Sequence, residues 1–316
     1  MNLPELRIGP LAPKYPIVQG GMAVRVSTSS LAGAVARAGG IGVIGATGMD
    51  AHELKSEIKK ARALANGGII GVNVMYASAQ FAQLVQAAIE AAIDLIFTGA
   101  GFSRDIFRWA KESGVPIVSI VSSAKAARVA ERYGAAAVVA EGTEAGGHLG
   151  TDLSVKEVVP EVVKAVKIPV IAAGGIVTGQ DMADMVKLGA SGVQMATRFV
   201  LSEECSVADE FKQMYLNASK DDVVLIKSPV GMPGRALKNE FYNNIQRGQA
   251  PEPEECFACL KNCSQEYCIL KALTNTRDGM VHQGVVFAGQ NVYKIKDILP
   301  VQAIFDRLLK EYRAAN

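Results

Sequence analysis

One histidine stands in a glycine-rich segment whose composition suits acid–base chemistry. His148 lies within Glu141–Gly150, in which four of the ten residues are glycine, and a strand-like run over 136–140 leads into it. Glycine lets a backbone approach a ligand closely and reach positive φ, and imidazole titrates near neutral pH. We therefore predict that this segment is a loop and that His148 is a catalytic acid or base. The alternative is a partly buried histidine bonded to a backbone carbonyl.

Two later segments combine glycine, a hydroxyl and a cation, which are groups that bind phosphate. Ala172–Ile176 includes Gly174 and Gly175, and Gln194–Arg198 includes Thr197. The loops after the last two strands of a (β/α)₈ barrel commonly hold a phosphate, and helices that start there add partial positive charge. We predict a phosphate site at these two segments. The alternative is that the glycines merely turn the chain.

Four of the five cysteines, Cys256, Cys259, Cys263 and Cys268, fall within thirteen residues. Thiolates this close favour a soft metal or an iron–sulfur cluster. We predict a [4Fe–4S] cluster first and structural zinc second, although the spacing is not a common ferredoxin or zinc-ribbon pattern. The alternative is a helix over 261–270 whose cysteines pack as small apolar side chains.

A repeated unit fills the first two thirds of the chain, in which a short β-branched run is followed by an alanine-rich helical stretch. Runs this apolar are typical of buried parallel strands. Helices are predicted over Ser78–Ala92 and Ser154–Val166, and Ser154 and Glu157 have the spacing of a capping box. The eight predicted strands are Tyr15–Gln19, Ile41–Gly45, Ile69–Val74, Asp94–Thr98, Val115–Val121, Ala136–Ala140, Ile168–Ala173 and Gly192–Ala196.

Eight such units predict an α/β fold, a (β/α)₈ TIM barrel with a C-terminal helical and irregular extension. A doubly wound sheet is the second choice, because no Gly-x-Gly-x-x-Gly fingerprint has the right context. Chemistry gathers at the carboxyl ends of barrel strands, where Gly20–Met22, Asn73 and His148 fall. Asn73 is either a turn residue or an amide that bonds the edge of a heterocycle.

The predicted boundaries are a barrel over 1–222, a lid-like insertion with the cysteines over 223–299, and a helix over 300–316 that packs on the barrel. The insertion brings Lys227 and Arg235, which are either available to an anionic substrate or solvated at the surface. The last helix carries an apolar stripe of Val301, Ile304, Phe305, Leu308 and Leu309.

Composition narrows the class of protein. The chain has 316 residues, 49% of them hydrophobic, and a formal charge of +2, so a large buried core is expected and nucleic acid is not an expected partner. No signal-peptide run and no span-length apolar run occurs, which predicts a cytoplasmic protein without a membrane partner. We expect a small-molecule or acyl-thioester substrate and allow for a homodimer.

Five motifs occur in one order along residues 14–200. They are Pro16–Met22, Gly71–Val74, Glu141–Gly150, Ala172–Ile176 and Gln194–Phe199. Together they resemble the nitronate monooxygenase (2-nitropropane dioxygenase) family, which includes the FMN-dependent type II enoyl-acyl-carrier-protein reductases. As a set the motifs are specific to that family.

The resemblance implies FMN at the strand ends, with His148 as the catalytic histidine. Gly21 and Met22 would contact the isoalloxazine, Asn73 would bond near the flavin, and the glycines after strand seven would hold the phosphate. The cofactor-binding residues that the resemblance implies are Gly21, Met22, Asn73, Glu141, Gly146, Gly174, Gly175, Gln194, Met195, Ala196 and Thr197.

Two activities are compatible with this resemblance. The first prediction is oxidation of alkyl nitronates, with His148 as base or anion contact. The alternative is an NAD(P)H-dependent enoyl-thioester reductase, in which His148 assists protonation and an iron–sulfur cluster could feed electrons. Glu141 and Leu149 lean toward the reductase, whereas Ser228–Asn239 departs from its post-barrel pattern. A ligand-binding barrel without turnover and an iron–sulfur electron carrier are the remaining classes.

Overall fold

The structure is a computed structural model that describes residues 3–253 and 255–315. It contains eleven named strands within those residues. They are β1 (Ile17–Gln19), β2 (Ile41–Gly45), β3 (Ile69–Met75), β4 (Leu95–Gly99), β5 (Ile117–Val121), β6 (Ala137–Glu141), β7 (Gly147–His148), β8 (Val170–Ala173), β9 (Gly192–Met195), β10 (Val223–Lys227) and β11 (Pro233–Leu237).

The described helices alternate with the strands through the first two thirds of the chain. Short 3₁₀ helices lie at Lys220–Asp222 and Val292–Lys294. The α-helices are α1 (Ser29–Arg37), α2 (Ala51–Ala65), α3 (Phe81–Glu90), α4 (Asp105–Ser113), α5 (Ala124–Tyr133), α6 (Val155–Ala165), α7 (Gly179–Lys187), α8 (Thr197–Val200), α9 (Asp209–Asn217), α10 (Glu240–Gln246), α11 (Ile269–Arg277) and α12 (Val301–Ala314).

Eight parallel strands close into a barrel in the order β1-β2-β3-β4-β5-β6-β8-β9. The predicted TIM barrel is confirmed, and each predicted strand overlaps the observed one. Inward side chains such as Val18, Phe97 and Ile171 form an apolar interior, which Leu6 and Ile8 join from the N-terminal segment. A second, larger cluster packs between the strands and the surrounding helices. The barrel is therefore a packed scaffold with its open positions at the strand ends.

Of the two helices predicted over Ser78–Ala92 and Ser154–Val166, the second starts as predicted and the first does not. α6 begins after Ser154, whose backbone N–H donates to the Glu157 carboxylate at 2.9 Å, as the capping box predicts. α3 begins at Phe81 rather than Ser78, because Ser78 forms a β-bridge with Leu260 of the extension. A long-range contact thus shortens that helix.

The extension after the barrel is not only helical and irregular, which corrects the sequence prediction. β10 and β11 form an antiparallel hairpin, and β7 pairs with β11 through Gly147 opposite Arg235 and His148 opposite Gly234. His148 therefore lies in a two-residue strand rather than in a loop. Backbone pairing with a distant hairpin overrides the local glycine content, which by itself favours an irregular segment.

A separate small core lies under the extension, built from residues such as Ile226, Phe241, Tyr267 and Ile269. At the other end of the chain, the whole predicted stripe of α12 is buried, and Glu311 accepts from the Gly179 backbone N–H at 2.8 Å. The predicted domain boundaries and the homodimer stay predictions. No helix in the described ranges is long and apolar enough to cross a bilayer.

The four-cysteine segment does not support the predicted cluster. Cys256 and Cys263 are exposed, Cys259 and Cys268 are partly exposed, and all four are free thiols. Within 3–253 and 255–315, no three His, Cys, Asp or Glu side chains converge in a way that could hold a metal. The alternative helix over 261–270 is also wrong, since α11 starts at Ile269. The segment from Cys256 to Cys268 is mostly irregular, and its short sequence spacing did not produce a metal-holding geometry in the described residues.

Candidate active site

A cavity of about 560 Å³ opens at the carboxyl ends of the barrel strands, a size typical of cofactor and small-molecule sites. Its floor is formed by residues at the strand ends, including Gly21 after β1, Asn73 on β3 and Gln194 on β9. The extension supplies the facing wall, through segments 257–260 and 269–273. The part of the chain predicted as a lid therefore lies over the barrel mouth.

Most of the predicted site residues meet at this cavity. Met195 does not, since its side chain packs in the layer between strands and helices, while its carbonyl accepts from the Gly20 N–H at 2.8 Å. Gly174 and Gly175 lie just beyond the cavity wall. The predicted residues on the wall are Gly21, Met22, Asn73, Glu141, Gly146, His148, Gln194, Ala196, Thr197 and, from the cysteine segment, Cys259.

The predicted phosphate residues lie beside a segment that the sequence did not reveal. Gly174 and Gly175 have φ of 115° and 68°, which favours glycine. The Asn291 side chain donates to the Gly175 carbonyl at 2.6 Å, and the Thr197 hydroxyl accepts from the Gly289 N–H at 3.0 Å. Backbone from β8, β9 and the 288–291 segment therefore gathers in one place.

Gly146 is packed against that same segment. A Cβ at Gly146 would lie 2.6 Å from both the Ala288 carbonyl carbon and the Gly289 nitrogen. We expect Gly146→Ala to push Gly289 away from Thr197 and to weaken FMN binding at least about tenfold. Fluorescence titration of apoprotein with FMN measures this, and the melting temperature of the apoprotein separates lost affinity from lost folding. An unchanged affinity would show that this segment does not shape the cofactor site.

Asn73 provides a test of whether the cavity suits FMN. Its Nδ2 donates to the Gly21 carbonyl at 3.3 Å, but its Oδ1 is buried with no hydrogen-bond partner in the described residues. A buried acceptor of this kind needs a donor, and the N–H groups at the edge of an isoalloxazine supply one. A Cβ at Gly21 would lie 2.4 Å from the Asn73 Cβ, so glycine is required where these strand ends meet. The residues present fit a flavin.

His148 is held firmly at the cavity wall. Its Nε2 lies 2.7 Å from the Ser228 hydroxyl oxygen, and its ring packs edge-on against Phe287 with centroids 5.1 Å apart. Burial lowers the pKa of His148 to about 4, because the charged ring loses its hydration. The imidazole is therefore neutral at physiological pH.

Glu141 is another titratable group on the cavity wall. It ends β6, and burial raises the pKa of its carboxyl to about 7, because a carboxylate is poorly solvated there. Its neighbour Glu144 has a different task, since it accepts from the Val155 N–H at 2.8 Å and holds the start of α6. Glu141 and His148 are thus driven in opposite directions by burial, a pattern common at sites of proton transfer.

The two cations predicted to be available to an anionic substrate, Lys227 and Arg235, do not line the cavity. Arg235 is only 9% exposed, and its Nε donates to the Thr143 carbonyl at 3.0 Å. Lys227 is exposed and is not part of the cavity wall. Arg25 does line the cavity, but two of its nitrogens each lie 2.5 Å from a Glu53 carboxylate oxygen. The described wall therefore offers no unpaired cation.

Sequence reasoning missed several residues of this site. Ser228, Phe287, Gly289 and Asn291 all come from beyond the barrel, where no periodic pattern marks a site. Gly289 and Asn291, separated by one residue, were a weak signal, because glycine and asparagine favour turns. Only the folded extension brings these residues to the strand ends.

Fold and cavity together define a (β/α)₈ barrel with a cofactor-sized cavity at the carboxyl ends of its strands. The sequence profile described as Nitronate monooxygenase matches residues 6–311. The chain therefore belongs to the nitronate monooxygenase family, a class of FMN-dependent oxidoreductases.

Two relatives illustrate the range of this family. A Mycobacterium tuberculosis protein named (3aS,4S,5R,7aS)-5-hydroxy-7a-methyl-1-oxo-octahydro-1H-indene-4-carboxyl-CoA dehydrogenase is 33% identical, and the match covers 74% of this chain and 66% of that protein. The chain thus spans slightly less than two thirds of that dehydrogenase. A Staphylococcus aureus protein named Probable nitronate monooxygenase is 30% identical, with 77% of this chain and 81% of the relative covered.

Two solved structures share the fold. FabK from Thermotoga maritima is 36% identical with a TM-score of 0.87, and the match covers 96% of this chain and 94% of FabK. Nitroalkane oxidase from Streptomyces ansochromogenes is 24% identical with a TM-score of 0.84, and the match covers 96% of this chain and 97% of the oxidase. The second likeness concerns the fold alone.

Proposed function

We propose that this chain is a flavin-dependent reductase of α,β-unsaturated acyl thioesters. The observation that carries the proposal is the cavity wall, which is largely apolar and, over the described residues, has no unpaired cation. A neutral acyl thioester suits such a wall. An anionic nitronate would instead meet an uncharged His148 and the carboxyl of Glu141, and burying an unpaired charge is costly.

This proposal reverses the order that the sequence suggested. Nitronate oxidation stood first because Ser228–Asn239 and the cysteine segment depart from the reductase pattern. The likeness to FabK, an enoyl-acyl-carrier-protein reductase, covers 96% of this chain and so includes the extension. The reason for preferring nitronates is thereby weakened.

The cavity residues have separable tasks in this reaction. FMN, when bound, supplies hydride chemistry between a nicotinamide nucleotide and the β carbon of the substrate. Asn73 and the backbone of Gly21 would hold its ring. The backbone at Gly146 and Gly175 and the Thr197 hydroxyl would hold its phosphate.

The α carbon of the reduced thioester needs one proton. Glu141 stores it, because a carboxyl whose pKa is about 7 is half protonated at neutral pH. His148 delivers it, since its neutral ring can accept a proton and release it within the cavity. An enolate is a stronger base than either group, so the transfer is downhill overall.

The proposal is tested by mixing the FMN-loaded protein anaerobically with NADH or NADPH. We expect the visible flavin absorbance to bleach and then to return when a trans-2-enoyl-CoA is added, with saturated acyl-CoA detected by mass spectrometry. Bleaching by an alkyl nitronate alone, with no turnover of any enoyl thioester, would overturn it.

Nitronate oxidation stays the second candidate. It is favoured by the family match and by the 30% identical relatives named as probable nitronate monooxygenases. If the protein oxidises nitronates, its visible flavin absorbance should bleach with ethyl nitronate and return with oxygen. The two experiments share one sample, so their outcomes are directly comparable.

A further inference from the structure

Ser27 lies in the loop that joins β1 to α1 and is fully buried, with 0% of its surface exposed. Its hydroxyl oxygen accepts from the Met22 N–H at 2.8 Å and from the Gly45 N–H at 3.1 Å. The hydroxyl hydrogen is donated to the Met22 carbonyl at 3.2 Å. One donor and two acceptor positions are the whole capacity of a hydroxyl, so this hydroxyl is fully used.

Ser27 also takes up every backbone polar group of Met22. The Met22 carbonyl accepts a second hydrogen bond, which the Ser27 N–H donates at 3.1 Å. A backbone carbonyl has two acceptor positions and a residue has one N–H, so no backbone group of Met22 is left for a ligand. Met22 lines the cavity, and it can therefore contact a ligand there only through its side chain.

The same serine joins this loop to the end of β2. The Gly45 N–H donates to the Ser27 carbonyl at 3.0 Å as well as to its hydroxyl. A Cβ at Gly45 would lie 2.1 Å from the Met22 carbonyl oxygen, so the two backbones can approach this closely only because position 45 is glycine. The Met22 backbone is thus held between Ser27 and a barrel strand.

The residues between Met22 and Ser27 have a strained backbone. Val24 and Arg25 have φ of 54° and 61°, a left-handed conformation that residues other than glycine seldom adopt. Such strain persists only where the surroundings over-determine it, and it is concentrated at functional sites. Here the Val24 N–H donates to the Thr47 carbonyl at 3.0 Å, and Ser27 closes the loop. A loop that only turned the chain would be expected to use glycine at these positions.

We infer that Ser27 is a positioning residue that presents the Met22 side chain to the flavin ring. A thioether side chain is polarisable and makes favourable contacts with aromatic rings, but its three rotatable bonds leave it mobile unless its backbone is fixed. Ser27 fixes that backbone through both of its polar groups. The inference rests on the FMN binding that the proposed function requires, and not on the substrate that the flavin reduces.

A double-mutant cycle on FMN affinity tests this inference without any turnover. Fluorescence titration of the apoproteins with FMN should show about tenfold weaker binding for Ser27→Ala and for Met22→Ala. Because the serine acts through the methionine, the double variant should also bind about tenfold more weakly, and not about 100-fold. At saturating FMN, the visible absorption band of the bound flavin should shift in Ser27→Ala, since the ring loses an ordered neighbour.

Ser202→Ala is the matched control. Ser202 is also 0% exposed, its hydroxyl donates to the Phe199 carbonyl at 2.7 Å, and it is not part of the cavity wall. This variant should lose stability but keep the wild-type FMN affinity and spectrum. Ser27→Cys, which keeps the size and a weaker hydrogen-bonding group, should lie between the wild type and Ser27→Ala. If circular dichroism shows that Ser27→Ala does not fold, the cysteine variant replaces it in the cycle.

Additive losses of affinity in the cycle would overturn the inference, and so would wild-type FMN affinity in a folded Ser27→Ala. A loss of affinity in Ser202→Ala equal to that in Ser27→Ala would reduce the role of Ser27 to general stability. If FMN binding follows these expectations but no enoyl thioester is reduced, the proposed function fails while the positioning role stands.

Discussion

His148→Ala is expected to lower kcat for enoyl-thioester reduction by about 100- to 10,000-fold, the usual contribution of a positioned acid or base. FMN should stay bound, because the proposed flavin contacts at Asn73 and Thr197 lie at other strand ends, on β3 and after β9. Stopped-flow measurement of flavin reoxidation by substrate gives the rate, and the visible spectrum of the purified variant gives the flavin content.

His52→Ala is a matched control, since His52 lies on α2, is exposed and is not part of the cavity wall. It should have wild-type rates. Full turnover by His148→Ala would remove the histidine from the reaction and leave the cavity as a binding site whose chemistry depends on other groups. If His148→Ala loses both its flavin and its turnover, His148 is instead assigned to cofactor binding.

Glu141→Gln is expected to remove the alkaline limb of the pH–rate profile. In the wild type, the stored proton is present below a pKa of about 7, so kcat should fall about tenfold per pH unit above it. Glutamine cannot store a proton, so the variant should be slow and nearly independent of pH. Steady-state rates between pH 5.5 and 9 in a constant-ionic-strength buffer measure this.

The same substitution has a consequence for stability that does not depend on activity. The folded-state pKa of Glu141 lies above the usual value for glutamate, so the folded protein binds more protons and loses stability as pH rises from about 4.5 to above 7. The stability of apo Glu141→Gln relative to the wild type should therefore grow between pH 5 and pH 8, by at most ~3 kcal/mol. Urea unfolding of the two apoproteins at both pH values gives the difference.

Glu144→Gln is the matched control from the same segment. Its carboxylate binds the Val155 N–H at the start of α6, so the variant should lose stability and keep the wild-type alkaline limb. A limb that persists in Glu141→Gln would assign the stored proton to another group.

Local pattern was sufficient for the barrel and for most of its strand-end residues. The strands β2 and β8, for example, are continuous apolar runs that can be buried only between layers, and their order along the chain dictates the order around the barrel. The glycines at the strand ends were also visible, because a turn or a close approach leaves a compositional trace.

The residues that contact His148 left no such trace. Ser228 and Phe287 lie 80 and 139 positions away along the chain, and ordinary spacing rules connect neither of them to it. The four cysteines are the reverse case, in which a clear sequence pattern has no matching site in the described residues. Their spacing suggested a cluster, but the backbone between them holds no converging set of ligands in the described residues.

The sequence by itself determined the barrel, the family resemblance and the presence of a histidine at a strand end, because periodicity and glycine placement are local properties. The tertiary structure decided the secondary structure, the charge and the hydrogen-bond partner of that histidine. Pairing of β7 with β11 made its segment a strand, burial made it neutral, and Ser228 gave its Nε2 a hydrogen-bond partner 2.7 Å away. Hydration and hydrogen-bond direction depend on which distant groups surround an atom, and those neighbours exist only after the extension has folded over the barrel.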